Sequence, residues 1–165
     1  MDSSRTTNHQ LAHLAKRYGI PLNDICSKDH LNLNEPSPGG YIVNMQDSND
    51  GNGTHWVALW LERISGKHMA CYFDSFGIDP PLDVINFCCR FGAKKIISST
   101  KEIQNINGGH CGQYCIDFLR HMTYSCSCSM RPRAHALSRP SNGTKREQKY
   151  RNFIDHYNSY SKLKN

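Results

Sequence analysis

Two apolar runs joined by a short link constrain the fold of this chain more than any other feature. The first run spans His55–Leu61, the second spans Met69–Phe73, and the link at 62–67 is turn-like in composition. Both runs are apolar at successive positions, which is typical of strands covered on both faces of a sheet. The pattern therefore predicts a buried central hairpin against which the other elements pack.

The remaining segments predict helices and short strands around this hairpin, and hence an α+β fold with a mixed sheet flanked by helices. The predicted elements are a helix carrying Leu11 to Tyr18 and stopped by Gly19, a strand at 41–43, a helix opened by Asp79 as N-cap and ended by Gly92, a strand at 95–98, and a helix starting near Cys111. Residues 125–143 predict irregular structure, and a last helix is predicted from 144 to about 159, docked by Tyr150, Phe153, Ile154 and Tyr157.

Charge is unevenly distributed along the 165 residues, whose formal net charge is +6. Residues 1–119 carry 10 Lys+Arg against 12 Asp+Glu, whereas residues 120–165 carry 10 against 2. This asymmetry indicates either a polyanion partner such as DNA, bound without sequence preference through residues 131–151, or a tail that keeps the protein in solution.

The sequence has no apolar run approaching the ~18 residues that a membrane span needs. It also has no secretory signal pattern at its start. We therefore expect a protein that is not secreted and does not associate with a membrane, with its eight cysteines as reduced thiols rather than a disulfide framework.

Cys111 is the first candidate for chemistry, because it follows a Gly-Gly turn and begins an amphipathic helix. The N–H groups and dipole at a helix N-terminus favour a thiolate, which is the nucleophilic form of cysteine. The alternative is a buried structural cysteine. Cys115, one turn further along, fills that packing role in the predicted stripe, which favours the nucleophile interpretation for Cys111.

A nucleophilic cysteine needs a base and a group that orients the base, and the hairpin supplies both. His55 begins the first strand and Asp74 ends the second. A turn centred between Ile64 and Ser65 would place Asp74 directly opposite His55. A turn centred on Ser65-Gly66 would place the two residues diagonally, still as neighbours.

Gln104 is a candidate for the oxyanion hole, because a neutral amide near the nucleophile can donate to a tetrahedral intermediate together with the backbone N–H of Cys111. It precedes Cys111 by seven residues. The spacing by itself favours a surface glutamine.

These residues, in this order, resemble the adenain-like cysteine proteases. The motifs that carry the resemblance are Gly53-Thr54-His55-Trp56, Tyr72-Phe73-Asp74-Ser75-Phe76-Gly77, Gln104, and Gly108-Gly109-His110-Cys111-Gly112-Gln113-Tyr114-Cys115. The family includes the adenovirus maturation protease, related proteases of virophages and Maverick/Polinton elements, and the SUMO-type proteases. The resemblance covers about residues 39–122. Its acid is Asp, as in the SUMO-type and virophage-like members.

The resemblance implies a papain-like fold with rearranged chain order. From charge and pattern, the sequence itself predicts a catalytic body at 1–124 and a basic tail at 125–165 in one domain, and this tail matches no segment of the family. The resemblance implies His55, Asp74, Gln104 and Cys111 as catalytic residues, and Trp56 and Gly109 as substrate-binding residues beside a narrow channel that admits Gly. The implied reaction is cleavage after Gly in capsid or core precursors of a virus or transposon, inside the virion or the host cell. No cofactor or metal is implied, activation by DNA is left open, and we expect a monomer.

Four other interpretations remain at this point. A SUMO or ubiquitin-like deconjugating protease would use the same residues. A chymotrypsin-like viral cysteine protease also orders His, Asp and Cys, but it needs strands, not a helix, after the nucleophile. A basic nucleic-acid module held by zinc could use Cys88-Cys89 and Cys126-x-Cys128, although no C-x₂-C pair is present. A catalytically inert capsid-associated relative would not need the complete set of four site residues.

Overall fold

The computed structural model describes residues 6–51, 54–104 and 108–127, together with Phe153. Over these residues the chain forms a five-stranded mixed sheet with helices on both faces, the α+β class that the sequence predicts. In chain order the elements are α1 (Asn8–Arg17), β1 (Leu22–Ser27), α2 (Lys28–Leu31), β2 (Gly39–Asn44), β3 (Trp56–Ile64), β4 (Lys67–Phe73), α3 (Leu82–Phe91), β5 (Ile96–Ser98) and α4 (Cys111–Ser127).

The hairpin of β3 and β4 lies at the centre of the sheet, as predicted. The strand order is β1-β2-β3-β4-β5, with antiparallel pairing around β3 and parallel pairing at both outer positions. The turn is formed by Ser65 and Gly66, which both have positive φ angles, 49° and 75°. Two successive positive φ angles match the right-handed twist of the flanking strands. Ile64 pairs with Lys67, so the turn is the second of the two considered.

Both faces of the hairpin are covered. Along β3, Val57, Leu59 and Leu61 pack with α3 on one face, whereas Ala58 and Trp60 pack with α1 and α4 on the other. Alternate residues of a strand point to opposite faces, so in a strand that is buried on both faces every position favours an apolar residue. This explains the continuous apolar runs and confirms the double coverage inferred from them.

Helix α4 presents the predicted apolar stripe to the sheet. The buried members of this stripe are Cys111, Cys115, Phe118, Leu119 and Met122. The helix continues to Ser127. The prediction of irregular structure from residue 125 is therefore wrong for its first three residues.

The start of α3 differs from the prediction. The helix begins at Leu82, its N-cap is Pro81, and no side chain caps it, so Asp79 is not the N-cap. Proline disfavours the helical conformation in the residue before it. Pro81 therefore keeps Pro80 extended, and the helix begins only at Leu82, after both prolines. Gly92 ends the helix with φ 90°, as predicted.

The edge elements β1 and α2 were not predicted. The predicted last helix and the basic segment 131–151 lie outside the described residues, apart from Phe153. This phenylalanine is buried, with its ring centroid 5.5 Å from that of Phe73 and 5.6 Å from that of Phe118. The boundary between 1–124 and 125–165 stays a prediction. In the part of the chain that is described, no helix is long and apolar enough to cross a membrane.

Candidate active site

The ends of the central hairpin bring His55 and Asp74 together. His55 immediately precedes β3 and Asp74 immediately follows β4. In the observed register Ala58 pairs with Phe73, so the two site residues lie diagonally just beyond the last pair. Nε2 of His55 is 2.8 Å from Oδ1 of Asp74. The short hairpin thus converts a separation of 19 residues into a direct hydrogen bond.

The Asp74 carboxylate is held from several directions. It is 1 % exposed, and its Oδ1 also accepts a 2.8 Å hydrogen bond from the backbone N–H of Phe76. The Ser99 hydroxyl forms two hydrogen bonds with the Asp74 backbone. It accepts from the Asp74 N–H at 3.0 Å and donates to the Asp74 carbonyl at 2.9 Å. Rotating this carboxylate would break its two hydrogen bonds, to His55 and to Phe76, so it fixes the orientation of the His55 ring.

Cys111 lies at the first position of α4, and its side chain faces the start of β3. Its sulfur accepts a hydrogen bond from the backbone N–H of Trp56, with a distance of 3.4 Å between N and Sγ. Nδ1 of His55 is buried and makes no hydrogen bond of regular geometry to any described residue. The two groups nevertheless affect each other's pKa: Cys111 raises that of His55, and His55 lowers that of Cys111.

Burial and charge set these two pKa values in opposite directions. Burial alone would lower the pKa of His55, but the hydrogen bond and charge of Asp74 and the interaction with Cys111 raise it from 6.5 to about 9. Burial alone would raise the pKa of Cys111, but His55 and the N–H groups of Trp56 and Gly112 lower it. The site therefore favours a thiolate beside an imidazolium, which is the reactive form of a cysteine nucleophile.

The other cysteines with shifted pKa values move the opposite way. Burial raises the pKa of Cys26 and Cys88 to about 12, and it raises that of Cys115 well above its usual range. Cys115 lies one turn along the same helix, where burial raises its pKa and it lacks the imidazole and N–H groups that lower the pKa of Cys111.

Gln104 is held by Ser75, the residue that follows Asp74. Its Oε1 accepts a 2.8 Å hydrogen bond from the hydroxyl of Ser75, and its backbone N–H donates to the Ser75 carbonyl at 3.1 Å. It is 4 % exposed, so it is not a surface glutamine. Among the described residues it makes no hydrogen bond to Cys111, and its oxyanion role stays a prediction.

Trp56 connects Cys111 to the segment before α1 through two hydrogen bonds. Its backbone N–H donates to Cys111, and its indole Nε1 donates to the carbonyl of Thr6 at 2.9 Å. The Thr6 hydroxyl in turn donates to Oε1 of Gln113 in the first turn of α4, at 3.0 Å. Gly109 is half-buried in the loop two residues before Cys111. The substrate-binding roles of Trp56 and Gly109 stay predictions.

Sequence reasoning missed three residues that support the site. Phe76 stacks on the His55 ring with 4.5 Å between centroids and 28° between planes. Thr6 holds the Trp56 indole, and Ser75 holds the Gln104 amide. A signal existed for Phe76 and Ser75, which directly follow Asp74 in the motif. No local pattern pointed to Thr6, because its partner is 50 residues away.

The described residues show no group of three or more His, Cys, Asp or Glu placed to hold a metal ion. Of the cysteines considered as zinc ligands, Cys88 is buried on the core-facing side of α3, whereas Cys89 is exposed on the same helix. The side chains of Cys126 and Cys128 lie outside the part of the chain that the structure describes.

The chain was compared with protein-family models, with curated proteins and with solved structures. No family model matches the sequence, and no curated protein matches it at a significant level. The chain is similar to the ASFV pS273R protease, with 19% identity and a TM-score of 0.45 over 68% of this chain and 53% of that one. It is also similar to AvrA delL154 with IP6 and CoA, with 14% identity and a TM-score of 0.46 over 71% of this chain and 48% of that one.

A further similar structure is HopZ1a in complex with IP6, with 12% identity and a TM-score of 0.40 over 72% of this chain and 42% of that one. The chain thus spans about half the length of these proteins. Similarities at this level assign neither a family nor an activity. The function has to be argued from the site itself.

Proposed function

We propose that the chain is a cysteine peptidase in which Cys111 is the nucleophile, His55 the acid and base, and Asp74 the group that orients His55. One observation carries this proposal. A cysteine whose pKa is lowered lies at a helix N-terminus beside a histidine that is hydrogen-bonded to a buried carboxylate. This is the arrangement that nucleophilic catalysis needs, with a base that is itself held by a third group.

In the proposed first step, the Cys111 thiolate attacks the carbonyl carbon of the scissile peptide and the carbonyl electron pair moves onto oxygen. The backbone N–H of Cys111 and the Gln104 amide would donate to this oxyanion. As the tetrahedral intermediate collapses, the C–N bond breaks and the His55 imidazolium gives its proton to the leaving amine. The acyl group remains on sulfur as a thioester.

In the second step, neutral His55 takes a proton from water, and the resulting hydroxide attacks the thioester carbonyl. Collapse of this second intermediate releases the carboxylic acid product and returns the thiolate with the imidazolium. Asp74 stabilises the imidazolium in both steps without itself taking up a proton.

We further propose, from the resemblance, that the substrate carries Gly at the cleavage site and that Trp56 and Gly109 border the channel that admits it. Capsid or core precursors of a virus, a virophage or a Polinton element are the substrate class we favour. A ubiquitin-like protein is the second candidate, because such substrates also present Gly at the cleaved bond and the acid is Asp.

A fluorogenic peptide library with Gly fixed before the cleaved bond tests this proposal. Wild-type protein is expected to release the fluorophore, and Cys111→Ala and His55→Ala are each expected to abolish release, since the two act as one unit. Cys89→Ala, which removes an exposed thiol on α3, is the matched control and should retain activity. Full activity in Cys111→Ala would disprove the role of Cys111 as nucleophile, and no release by the wild type would disprove the peptidase assignment. The sequence preference around Gly separates precursor cleavage from ubiquitin-like deconjugation.

The basic C-terminal third supports a separate proposal, that residues 131–151 bind DNA without sequence preference and hold the enzyme near packaged nucleic acid. With four to six phosphate contacts, raising salt from about 50 to 200 mM should weaken binding about 10²–10³-fold. Fluorescence anisotropy with unrelated duplexes measures this. Absence of binding at the lower salt concentration would leave the tail as a solubilising segment.

A further inference from the structure

We propose that Ser75 is a positioning residue that fixes which end of the Gln104 side-chain amide faces the oxyanion, an inference that rests on the proposed function. Ser75 is 1 % exposed and directly follows the proposed acid, Asp74. Its hydroxyl donates to Oε1 of Gln104 at 2.8 Å. The reaction needs the opposite end of that amide, Nε2, as a donor.

The backbone of Ser75 holds the same glutamine. The Ser75 carbonyl accepts hydrogen bonds from the N–H groups of Ile103 at 2.9 Å and Gln104 at 3.1 Å. Both the main chain and the side chain of Gln104 are thus anchored on one residue. The acid and the oxyanion donor are consequently set by adjacent positions, Asp74 and Ser75, in a single turn.

The orientation of the amide matters because its two ends have opposite effects on a developing negative charge. Nε2 donates hydrogen bonds to an oxyanion, whereas Oε1 would repel it. Among the described residues Nε2 has no hydrogen-bond partner, so it is free to serve the substrate. An amide that could rotate by 180° would present Oε1 instead of Nε2 to the oxyanion for part of the time.

The Ser75 hydroxyl selects one orientation because it has a single proton. In the observed orientation that proton goes to Oε1. In the reversed orientation Nε2 would donate to the Ser75 oxygen, and the hydroxyl proton would have no acceptor among the described residues. A buried donor without a partner is costly, which disfavours the reversed amide.

Steady-state kinetics on a fluorogenic peptide ending in Gly, together with the rate of Cys111 alkylation by iodoacetamide, test this role. Ser75→Ala is expected to lower kcat about tenfold or more with KM nearly unchanged, a smaller effect than the ~10²–10³-fold cost of deleting an oxyanion donor. Its Cys111 alkylation rate should equal that of wild type, because displacement of iodide develops no oxyanion. Ser98→Ala, a serine of β5 outside the site, should keep wild-type kcat.

A double-mutant cycle sharpens the test. Once the amide is gone in Gln104→Ala, Ser75 has nothing to orient, so Ser75→Ala with Gln104→Ala should be no slower than Gln104→Ala alone. Should Ser75→Ala not unfold cooperatively on heating, Ser75→Cys keeps the size with a weaker donor and should give an intermediate kcat.

Three results would overturn the Ser75 role while leaving the peptidase assignment intact. They are a kcat within about twofold of wild type in Ser75→Ala, losses that multiply in the double variant, and a fall in alkylation rate that matches the fall in kcat. A wild-type protein that cleaves no Gly-containing peptide would instead remove the proposed function, and the Ser75 role with it.

Discussion

Replacing Asp74 by Asn tests how much of the reactivity of Cys111 depends on one buried charge. Asn keeps an oxygen that can accept from His55 Nε2 and from the Phe76 N–H, so the geometry of the carboxylate is preserved while its charge is lost. The substitution therefore separates electrostatics from positioning.

The size of the expected effect follows from the His55 pKa, which is raised to about 9 although burial opposes the shift. Loss of an opposite charge at hydrogen-bond distance lowers the pKa of the remaining group by about one to three pH units. Each pH unit corresponds to about 1.4 kcal/mol, so the thiolate–imidazolium pair should lose about 1.4–4 kcal/mol relative to the neutral pair. At pH 6 the thiolate fraction of Cys111 should consequently be smaller than in wild type.

The assay is the pH dependence of Cys111 alkylation by iodoacetamide, followed by mass spectrometry of the peptide that contains it. The Asp74→Asn curve should shift to higher pH than wild type, and peptide cleavage should be slowed but still measurable. Asp83→Asn, in which the changed carboxylate on α3 contacts Asn32, is the matched control. Superimposable curves for wild type and Asp74→Asn would refute the electrostatic argument.

Three further predictions concern reactivity, pH and stability. Iodoacetamide at pH 6 should label Cys111 well before Cys115, whose pKa burial raises, and equal labelling in a mass-resolved time course would contradict this. The value of kcat/KM should fall as pH rises through about 9, where His55 loses its proton. It should also fall at low pH, as Cys111 becomes protonated. A fall already near pH 6.5 on the alkaline side would be inconsistent with the raised pKa of His55. Gly77→Ala should lower the free energy of unfolding, measured by urea titration, by about 2 kcal/mol or more. A left-handed φ costs a residue with a side chain about 1–2 kcal/mol, and the new Cβ would lie 2.7 Å from the Lys101 backbone. Unchanged stability would show that the turn can relax.

The central hairpin was predictable because its signal is local. Strands buried on both faces must be apolar throughout, and the turn at Ser65-Gly66 is short enough to limit the possible registers to two. Either register makes His55 and Asp74 neighbours, so this pair could be inferred before the structure was seen. The helix at Cys111 was predictable for the same reason, through its apolar stripe.

The edge of the sheet was not predictable in this way. Strand β1 contains Asn23 and Asp24, is only partly buried, and pairs in parallel with β2 across an intervening helix. Its hydrogen bonds come from a distant segment rather than from its own pattern. The beginning of α3 was misplaced because Asp79 matches an N-cap, whereas two consecutive prolines keep the chain extended up to Leu82.

The supporting contacts of the site needed coordinates for a related reason. Thr6 meets Trp56 in the region where α1 contacts α4, and Ser75 meets Gln104 beyond the ends of the paired strands β4 and β5. Such contacts join segments far apart in sequence and involve single hydrogen bonds without periodicity. The sequence predicted the residues that we propose to react, but not the residues that contact and support them.

The most direct test of the central claim is to trap the acyl-enzyme. Wild-type protein mixed with a Gly-containing peptide ester and quenched in acid within the first turnover should gain the mass of the acyl group. Proteolytic mapping should place that mass on the peptide containing Cys111, bound through a thioester that hydroxylamine removes. Acylation of a different cysteine, or no acylation during turnover, would contradict the account.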